Sequence, residues 1–257
     1  MNVFAQPIDR ILCKNKICSM RNAPSFIRCH EVFVNGMRIK DSRFLVDTET
    51  DSIFVDGVQI PMQKNIYIMM NKALNVVCSK ASDSHKVLYD FFPSELAKDL
   101  HSCGRLDADS TGLIFLTNNG TFSHFFESPE THLEKTYSVR LKNPVLISEQ
   151  EEYIKAFKSG ISVPPYKKGE AFVSKPAQLT FKIADGDIDS DECTVVISEG
   201  KYRQIRRMFS ALGNEVVALK RLSIGHVELD PNLGENQWRE LSDGEVKGLG
   251  RVKKNVN

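Results

Sequence analysis

The stretch Gly104-Arg105-Leu106-Asp107-Ala108-Asp109-Ser110-Thr111-Gly112-Leu113 places two aspartates in a loop bounded by glycines. An apolar run, residues 113–117, follows directly and predicts a buried strand. Loops that are anchored on rigid strands often carry catalytic groups. An aspartate in such a loop is more often a turn residue or a surface charge, and neither periodicity nor composition chooses between Asp107 and Asp109.

A segment rich in arginine follows much later in the chain. Residues 202–212 have the apolar spacing of a helix. Arg206 falls beside the apolar Ile205 on this helix, whereas Arg203 and Arg207 share another face. An arginine at the edge of an apolar face often pairs with a buried carboxylate, although its aliphatic stem can equally cover the core. The pattern suggests an arginine–aspartate pair between two distant segments.

Residues 1–62 predict a small unit of two helices and short strands. The apolar spacing of residues 8–12 predicts the first helix. Ser19 is a candidate cap for the second helix, in which Pro24 predicts a kink or a late start. Residues 32–39 and 53–60 contain Asn-Gly and Asp-Gly pairs between apolar runs, which predict hairpins.

Residues 63–247 predict a second, larger domain. Strands and helices are mixed there without regular alternation, which is typical of an α+β fold. Ser148 and Glu151 form a candidate capping box for a helix that ends at Gly160. Residues 248–257 are polar and basic, and we expect a disordered tail.

Basic residues are clustered although the formal net charge is only +1. Residues 1–43 hold eight basic residues against three acidic ones, and further basic clusters lie in residues 201–207 and 247–254. A protein that binds phosphates needs basic faces rather than a basic average. These clusters suit a nucleic-acid partner, but they could equally be solvated surface charges.

The six cysteines predict no disulfide framework, because the chain is long and opens without a secretory signal. The sequence shows neither CxxC spacing nor a nearby histidine pair at metal-ligand spacing, so we expect no metal. No apolar stretch approaches the length of a membrane span, so we expect no membrane partner. The cytoplasm is the simplest compartment for such a chain.

Several ordered motifs resemble the RsuA-like pseudouridine synthases. Residues 104–120 resemble the family signature GRLDxxTxGLLLLTxDG, and residues 67–78 resemble its YxxLNKPxGxV segment. Residues 123–137 match the stretch that ends in the motif tyrosine, and residues 197–209 match the motif EGxYxQxxRMF. The region before residue 63, with a VxVNG turn, resembles an S4 RNA-binding domain. The chain is identified as a member of this family over nearly its whole length.

The resemblance implies isomerisation of uridine to pseudouridine within RNA, in which the N-glycosidic bond breaks, the base turns over and C5 is joined to the ribose. The target base has to be flipped into a pocket. Asp107 is then implied as the nucleophilic carboxylate, which attacks the ribose or acts on the base. Tyr137 is implied as the tyrosine against the uracil, and Arg206 as the cation that pairs with Asp107. No cofactor is expected.

The resemblance also implies a mixed, largely antiparallel sheet flanked by helices after the S4-like domain. Ile205, Arg105 and Arg203 are implied as substrate-binding residues of the catalytic domain. The S4-like domain would supply affinity for the RNA backbone, through Arg10, Lys14, Arg21, Arg28 and Arg38.

Residues 87–89 and 128–137 look more like the branch of the family that acts on small-subunit (16S) rRNA. We therefore expect a monomer that acts on 16S rRNA, either free or within a pre-ribosomal particle. The branch that acts on large-subunit (23S) rRNA is one alternative. A non-catalytic S4-type protein that binds rRNA as an assembly factor is another.

The chain departs from the family pattern in two places. Lys72-Ala73-Leu74-Asn75 stands where the family has Lys-Pro-x-Gly, which predicts an altered turn after the first core strand. Pro24 and Cys29-His30-Glu31 replace helix-forming and basic positions of the S4-like domain, which predicts a weaker RNA contact there.

Overall fold

The first region of the chain has its own apolar core. The structure, a computed structural model, describes residues 5–182 and 189–250. Ile8, Leu12, Ile27 and Ile53 are fully buried in this core. The elements around it are β1 (Ala5–Pro7), α1 (Ile8–Lys14), α2 (Ala23–Cys29), β2 (Val32–Val34), β3 (Met37–Arg38), β4 (Leu45–Asp47), β5 (Ile53–Val55) and β6 (Val58–Ile60). Strand β1 pairs with β4, and the other four strands form a sheet in the order β3-β2-β5-β6.

Both predicted hairpins are confirmed. At Asn35-Gly36 and Asp56-Gly57 all four φ angles are positive, between 49° and 80°, which is the backbone of a type I′ turn. The late helix start is also confirmed, since Pro24 lies in the first turn of α2, where its missing N–H costs no helical hydrogen bond. Ser19 as the cap was wrong: its carbonyl accepts the Asn22 N–H in a preceding turn, and Asn22 is the cap residue.

The second region is built on one large sheet. The strands of this region are β7 (Tyr67–Lys72), β8 (Val76–Val77), β9 (Lys86–Val87), β10 (His101–Ser102), β11 (Thr111–Thr117), β12 (Lys135–Val145), β13 (Ser162–Val163), β14 (Phe172–Val173), β15 (Gln178–Phe181), β16 (Ser190–Ile197), β17 (Val216–Ile224), β18 (Val227–Glu228) and β19 (Trp238–Glu240). Strands β8 and β9 pair with each other outside the large sheet, as do β13 and β14. Its helices are α3 (Ser94–Asp99), α4 (Gly120–Glu127), α5 (Ile147–Ser159), α6 (Gln204–Ala211) and α7 (Asp243–Gly250), with 3-10 turns at Leu88–Phe91 and Pro129–Thr131.

The main path of this sheet runs β15-β16-β12-β17-β11-β7-β19, with β10 paired to β11 and β18 to β17. Among the described residues every pairing in it is antiparallel except β11 with β17. Two apolar clusters cover the sheet; one includes Phe157 and Phe209, and the other includes Phe122 and Leu249. The predicted α+β fold with a mixed, largely antiparallel sheet is confirmed.

Two local predictions in this region were wrong. Helix α5 begins at Ile147 with Leu146 as its cap residue, so Ser148 and Glu151 lie inside the helix and form no capping box. The predicted tail begins too early, because residues 248–250 belong to α7 and Leu249 is fully buried. The remainder of that predicted tail, residues 251–257, lies outside the described residues.

The first region packs against the end of β11. Gln6 and Asn65 are both buried and share a hydrogen bond of 2.7 Å. The Lys14 ammonium donates to the Asn118 carbonyl at 3.0 Å. Within residues 5–182 and 189–250 no helix is long and apolar enough to cross a bilayer.

Candidate active site

The loop between β10 and β11 presents Asp107. The Ser110 N–H donates to the Asp107 carbonyl at 3.1 Å, which closes a tight turn around the two aspartates. The Ala108 carbonyl accepts the Asn75 N–H at 2.8 Å. Both ends of the turn are therefore held by backbone bonds, and the Asp107 side chain stays 36% exposed.

The altered turn predicted at residues 72–75 supports this loop. Asn75 takes the left-handed conformation, with φ +60°, which asparagine tolerates better than most residues other than glycine. Lys72 is fully buried, and its ammonium donates to the Ala73 and Val76 carbonyls at 2.9 and 2.7 Å. Burial lowers the pKa of Lys72. Asn75 thus adopts the left-handed conformation that this turn requires, at the position where the family has glycine.

A cavity of about 590 Å³ opens beside Asp107, a size that suits one nucleotide. Tyr137 on β12 and Ile205 on α6 line it and are 7% and 3% exposed. Arg105 lies exposed at its rim, and Arg203 lies on the α6 side. Five of the six site residues predicted in the catalytic domain therefore meet in one cavity.

The cation nearest to Asp107 is Arg203. Its Nη1 lies 3.8 Å from Asp107 Oδ2. Arg203 also grips Asp109 with two hydrogen bonds of 3.1 and 2.6 Å. The residue precedes α6 with a left-handed backbone, φ +50°, a strained conformation that persists only where its surroundings hold it.

The predicted pair of Arg206 with Asp107 is wrong: among the described residues the two side chains form no ion pair within 4.0 Å. Arg206 Nε lies 3.5 Å from Asp109 Oδ2, and its two terminal nitrogens donate to the Val216 and Asp109 carbonyls at 2.6 and 2.7 Å. Arg206 lines a second cavity on the other side of α6. The helix begins at Gln204, two residues later than predicted, and Arg203 therefore takes the position expected of Arg206.

The two aspartates that the sequence left equivalent have different surroundings. Burial acts to raise the pKa of Asp109, but the hydrogen bonds from Arg203 and the charge of Arg206 outweigh it and lower that pKa. Asp109 is thus a structural anchor between the loop and α6. Asp107 instead lines the first cavity, and among the described residues Arg203, at 3.8 Å, is its one cation within 4.0 Å.

Sequence reasoning missed two cations in the cavity wall. Lys135 lies two residues before Tyr137 on β12, a spacing that puts both side chains on one face of a strand. Burial, followed by the Arg221 charge, lowers the pKa of Lys135 to about 8. Arg221 is the register partner of Tyr137 on β17 and is 3% exposed. The alternation of side chains along a strand could have predicted Lys135 from Tyr137. The presence of Arg221 in the cavity depends on which strands become neighbours, which the local sequence does not show.

The cavity therefore combines a carboxylate, an aromatic ring, the buried Arg221 and the half-buried Lys135. A carboxylate can act as a covalent participant, and a ring can stack on a base. Within the described residues no group of three histidines, cysteines or acids could hold a metal ion.

Residues 66–211 match the family model described as RNA pseudouridylate synthase. The chain is 38% identical to the ribosomal small subunit pseudouridine synthase A of Haemophilus influenzae, over 94% of this chain and 98% of the relative. The enzyme of the same name from Escherichia coli is 34% identical over 94% and 99%. An RNA pseudouridine synthase of Bacillus subtilis, YtzG, described as uncharacterized, is 33% identical over 93% and 96%.

One solved structure extends the likeness to three dimensions. A crystal structure described as a pseudouridylate synthase superimposes with a TM-score of 0.64 at 37% identity, covering 94% of this chain and 98% of the other. The family model spans the loop that carries Asp107 and helix α6, two segments that line the cavity. The chain belongs to the RNA pseudouridylate synthase family and is an RNA pseudouridine synthase.

Proposed function

We propose that this enzyme isomerises a uridine of small-subunit (16S) rRNA, with Asp107 as the nucleophile on a flipped-out nucleotide. The observation that carries the chemistry is the meeting of Asp107, Tyr137 and Ile205 in one cavity of nucleotide size. The substrate follows from the relatives that match nearly end to end and are named for the ribosomal small subunit.

Each side chain of the cavity has its own role in the proposed reaction. The Asp107 carboxylate attacks the ribose or acts on the base. Tyr137 stacks on the uracil, which is worth roughly 1–3 kcal/mol, and Ile205 closes the apolar wall. Arg203 orients Asp107, because it is the cation nearest to that carboxylate among the described residues. Arg105 at the exposed rim suits a phosphate of the RNA.

The first region acts as an S4-like RNA-binding domain. The five basic residues assigned to RNA binding are all exposed: Arg10, Lys14, Arg21, Arg28 and Arg38. Lys14 differs from the others, because its ammonium is tied to the Asn118 carbonyl. The remaining arginines are the better phosphate ligands. Their replacement by alanine raises the Kd for RNA and lowers its salt dependence by about one counterion each.

The setting is the cytoplasm, where a monomer meets rRNA either free or in a pre-ribosomal particle. All six cysteines are free thiols, which suits a reducing compartment.

The test is the mapping of pseudouridines in rRNA from cells with and without this protein, together with conversion of 16S and 23S transcripts by the purified enzyme. The expected result is one missing pseudouridine in 16S rRNA, restored by the wild-type protein and not by Asp107→Asn. Conversion of the 23S transcript alone would move the substrate to the large subunit. Binding without turnover on both transcripts would indicate an assembly factor instead.

A further inference from the structure

Two buried polar atoms of the active cavity have no hydrogen-bond partner among the described residues. They are Arg221 Nη2 and Ser110 Oγ, on side chains that line the cavity. Arg221 and Ser110 are 3% and 1% exposed. Buried polar atoms in native proteins nearly always have a partner, so two orphans in one cavity point to a group that arrives with the substrate.

Arg221 is held in place from within the sheet. Its Nε donates to the Leu113 carbonyl at 2.6 Å, which fixes the guanidinium plane. On one side its strand partner is Tyr137, and cross-strand partners place their side chains on the same face. On the other side the partner is Gly112, where an added Cβ would lie 2.2 Å from the Arg221 carbonyl oxygen. Arg221 and Tyr137 therefore lie side by side in the sheet and line the same cavity, in which the proposed function places the base.

The charge of Arg221 is not neutralised within the cavity. No ion pair within 4.0 Å involves Arg221 in the part of the chain that the structure describes. Its cationic neighbour Lys135 donates to the Leu133 carbonyl rather than to a carboxylate. Glu199, a carboxylate in the cavity wall, already accepts from Gln204 and from the Lys175 N–H. A buried cation without an ion-pair partner is costly, and negative charge that a bound group brings to Nη2 would offset that cost.

We propose that Arg221 donates a hydrogen bond to a carbonyl oxygen of the flipped uracil and stabilises the negative charge that the base acquires. When the bond between N1 and C1′ breaks, both bonding electrons stay on the uracil and spread over N1, O2 and O4. As that bond breaks, the Asp107 carboxylate bonds to C1′. The bond that then forms joins C5 to C1′ and releases the Asp107 carboxylate, after which C5 loses its proton and N1 gains one. A fixed guanidinium favours the charged stage over the neutral uridine, which is how a prearranged donor lowers a barrier.

This role rests on the proposed function, because it needs uridine in the cavity. It goes beyond the nucleophile and its cation, since Arg221 would act on the base rather than on Asp107. The Ser110 hydroxyl is the second unpartnered donor or acceptor, and it would meet another polar atom of the same base.

The test compares full-length Arg221→Gln and Arg221→Lys in single-turnover conversion of a 16S transcript. Arg221→Gln is expected to lower the rate constant by about 100- to 1000-fold, as for the loss of one prearranged donor. Its Kd for the transcript is expected to stay within about threefold, since phosphate contacts supply most affinity. Arg221→Lys keeps the charge and is expected to remain within about tenfold of wild type.

Arg207→Gln is the matched control for the loss of a buried guanidinium. Arg207 is 6% exposed, donates to the Tyr202, Pro164 and Glu170 carbonyls, and is not among the residues that line the first cavity. Arg207→Gln is expected to lower the Tm, because these carbonyls lose their donor, while its rate constant falls less than about tenfold. Guanidinium added to Arg221→Ala is expected to restore turnover, whereas a purely structural loss would not respond.

Two outcomes would overturn the inference alone: a folded Arg221→Gln with the wild-type rate constant, or a control that loses as much rate as Arg221→Gln. In both, the wild-type enzyme still makes pseudouridine and Asp107→Asn does not. A wild-type protein inert on both rRNA transcripts would overturn the proposed function, and the role of Arg221 with it.

Discussion

Helix α6 separates two cavities of similar size, about 590 and 610 Å³, that use charged residues in opposite ways. In the second cavity the terminal nitrogens of Arg206 and Arg207 all donate to backbone carbonyls, and Asp109 is held by two arginines. In the first cavity Asp107 has one cation at 3.8 Å, and Arg221 has an unpartnered terminal nitrogen. The Nε atoms of Arg206 and Arg207 also have no hydrogen-bond partner among the described residues, so the contrast concerns the terminal nitrogens. Those of Arg206 and Arg207 hold the structure together, whereas one of Arg221 is available to a group in the first cavity.

The two aspartates test this contrast most directly. Asp107→Asn is expected to lower turnover by about 10,000-fold or more, because the carboxylate itself reacts. Asp109→Asn is expected to lower it by only about tenfold, through loss of the Arg203 anchor, and to reduce the free energy of unfolding by about 1 kcal/mol. Single-turnover assays and denaturant titrations of both variants measure the two effects. Equal losses of turnover would show that the carboxylates share one role.

Gly112 tests whether the first cavity depends on close packing of β11 against β17. Its φ is +98°, and an added Cβ would meet backbone atoms of Arg221 at 2.2 and 2.8 Å. Because those atoms belong to a strand, they cannot move aside cheaply. Gly112→Ala is expected to reduce the free energy of unfolding by about 3 kcal/mol or more. The control is Gly244→Ala, where an added Cβ meets nothing within 4 Å. Similar Tm values for the two variants would contradict the prediction.

The two arginines at α6 separate catalysis from stability. Arg203→Gln is expected to lower turnover by about 10- to 100-fold, because it removes the cation nearest to Asp107. Arg206→Gln is expected to act mainly on stability, by about 1–3 kcal/mol, since two carbonyls lose their donor. Turnover and Tm measured on both variants decide the assignment. A larger loss of turnover in Arg206→Gln would restore the pairing of Arg206 with Asp107 that the family resemblance implied.

The wrong assignment of Arg206 illustrates what the sequence could predict and what it could not. The hairpins at residues 32–39 and 53–60 and the strand after Asp107 follow from local patterns, and the structure contains them. The arginine beside Asp107 was assigned wrongly because the left-handed backbone of Arg203 delays the helix by two residues, and helical spacing alone does not record such a delay. Arg221 joins the cavity only because β17 lies between β11 and β12, a consequence of non-local strand order.

Lys135 offers the smallest and most specific test, because its buried charge should weaken the fold in the absence of substrate. Burial, followed by the Arg221 charge, lowers its pKa from 10.5 to about 8. The unfolded chain therefore binds more protons between about pH 8 and pH 10.5, and this group's contribution to stability rises with pH through that window. Lys135→Met removes the charge and keeps most of the stem.

The variant is expected to gain about 1–2 kcal/mol in the free energy of unfolding at pH 7, where the penalty in the wild type is fully present. Its advantage over the wild type should shrink as the pH rises from about 8 towards 10.5. Lys142→Met on the same strand is the control, since Lys142 is 61% exposed and pairs with Glu215 at the surface. Thermal denaturation across this pH range measures all three proteins. If the stability gain of Lys135→Met does not change with pH, packing rather than charge explains it. The cations of the cavity wall would then impose no electrostatic cost that a bound substrate could relieve.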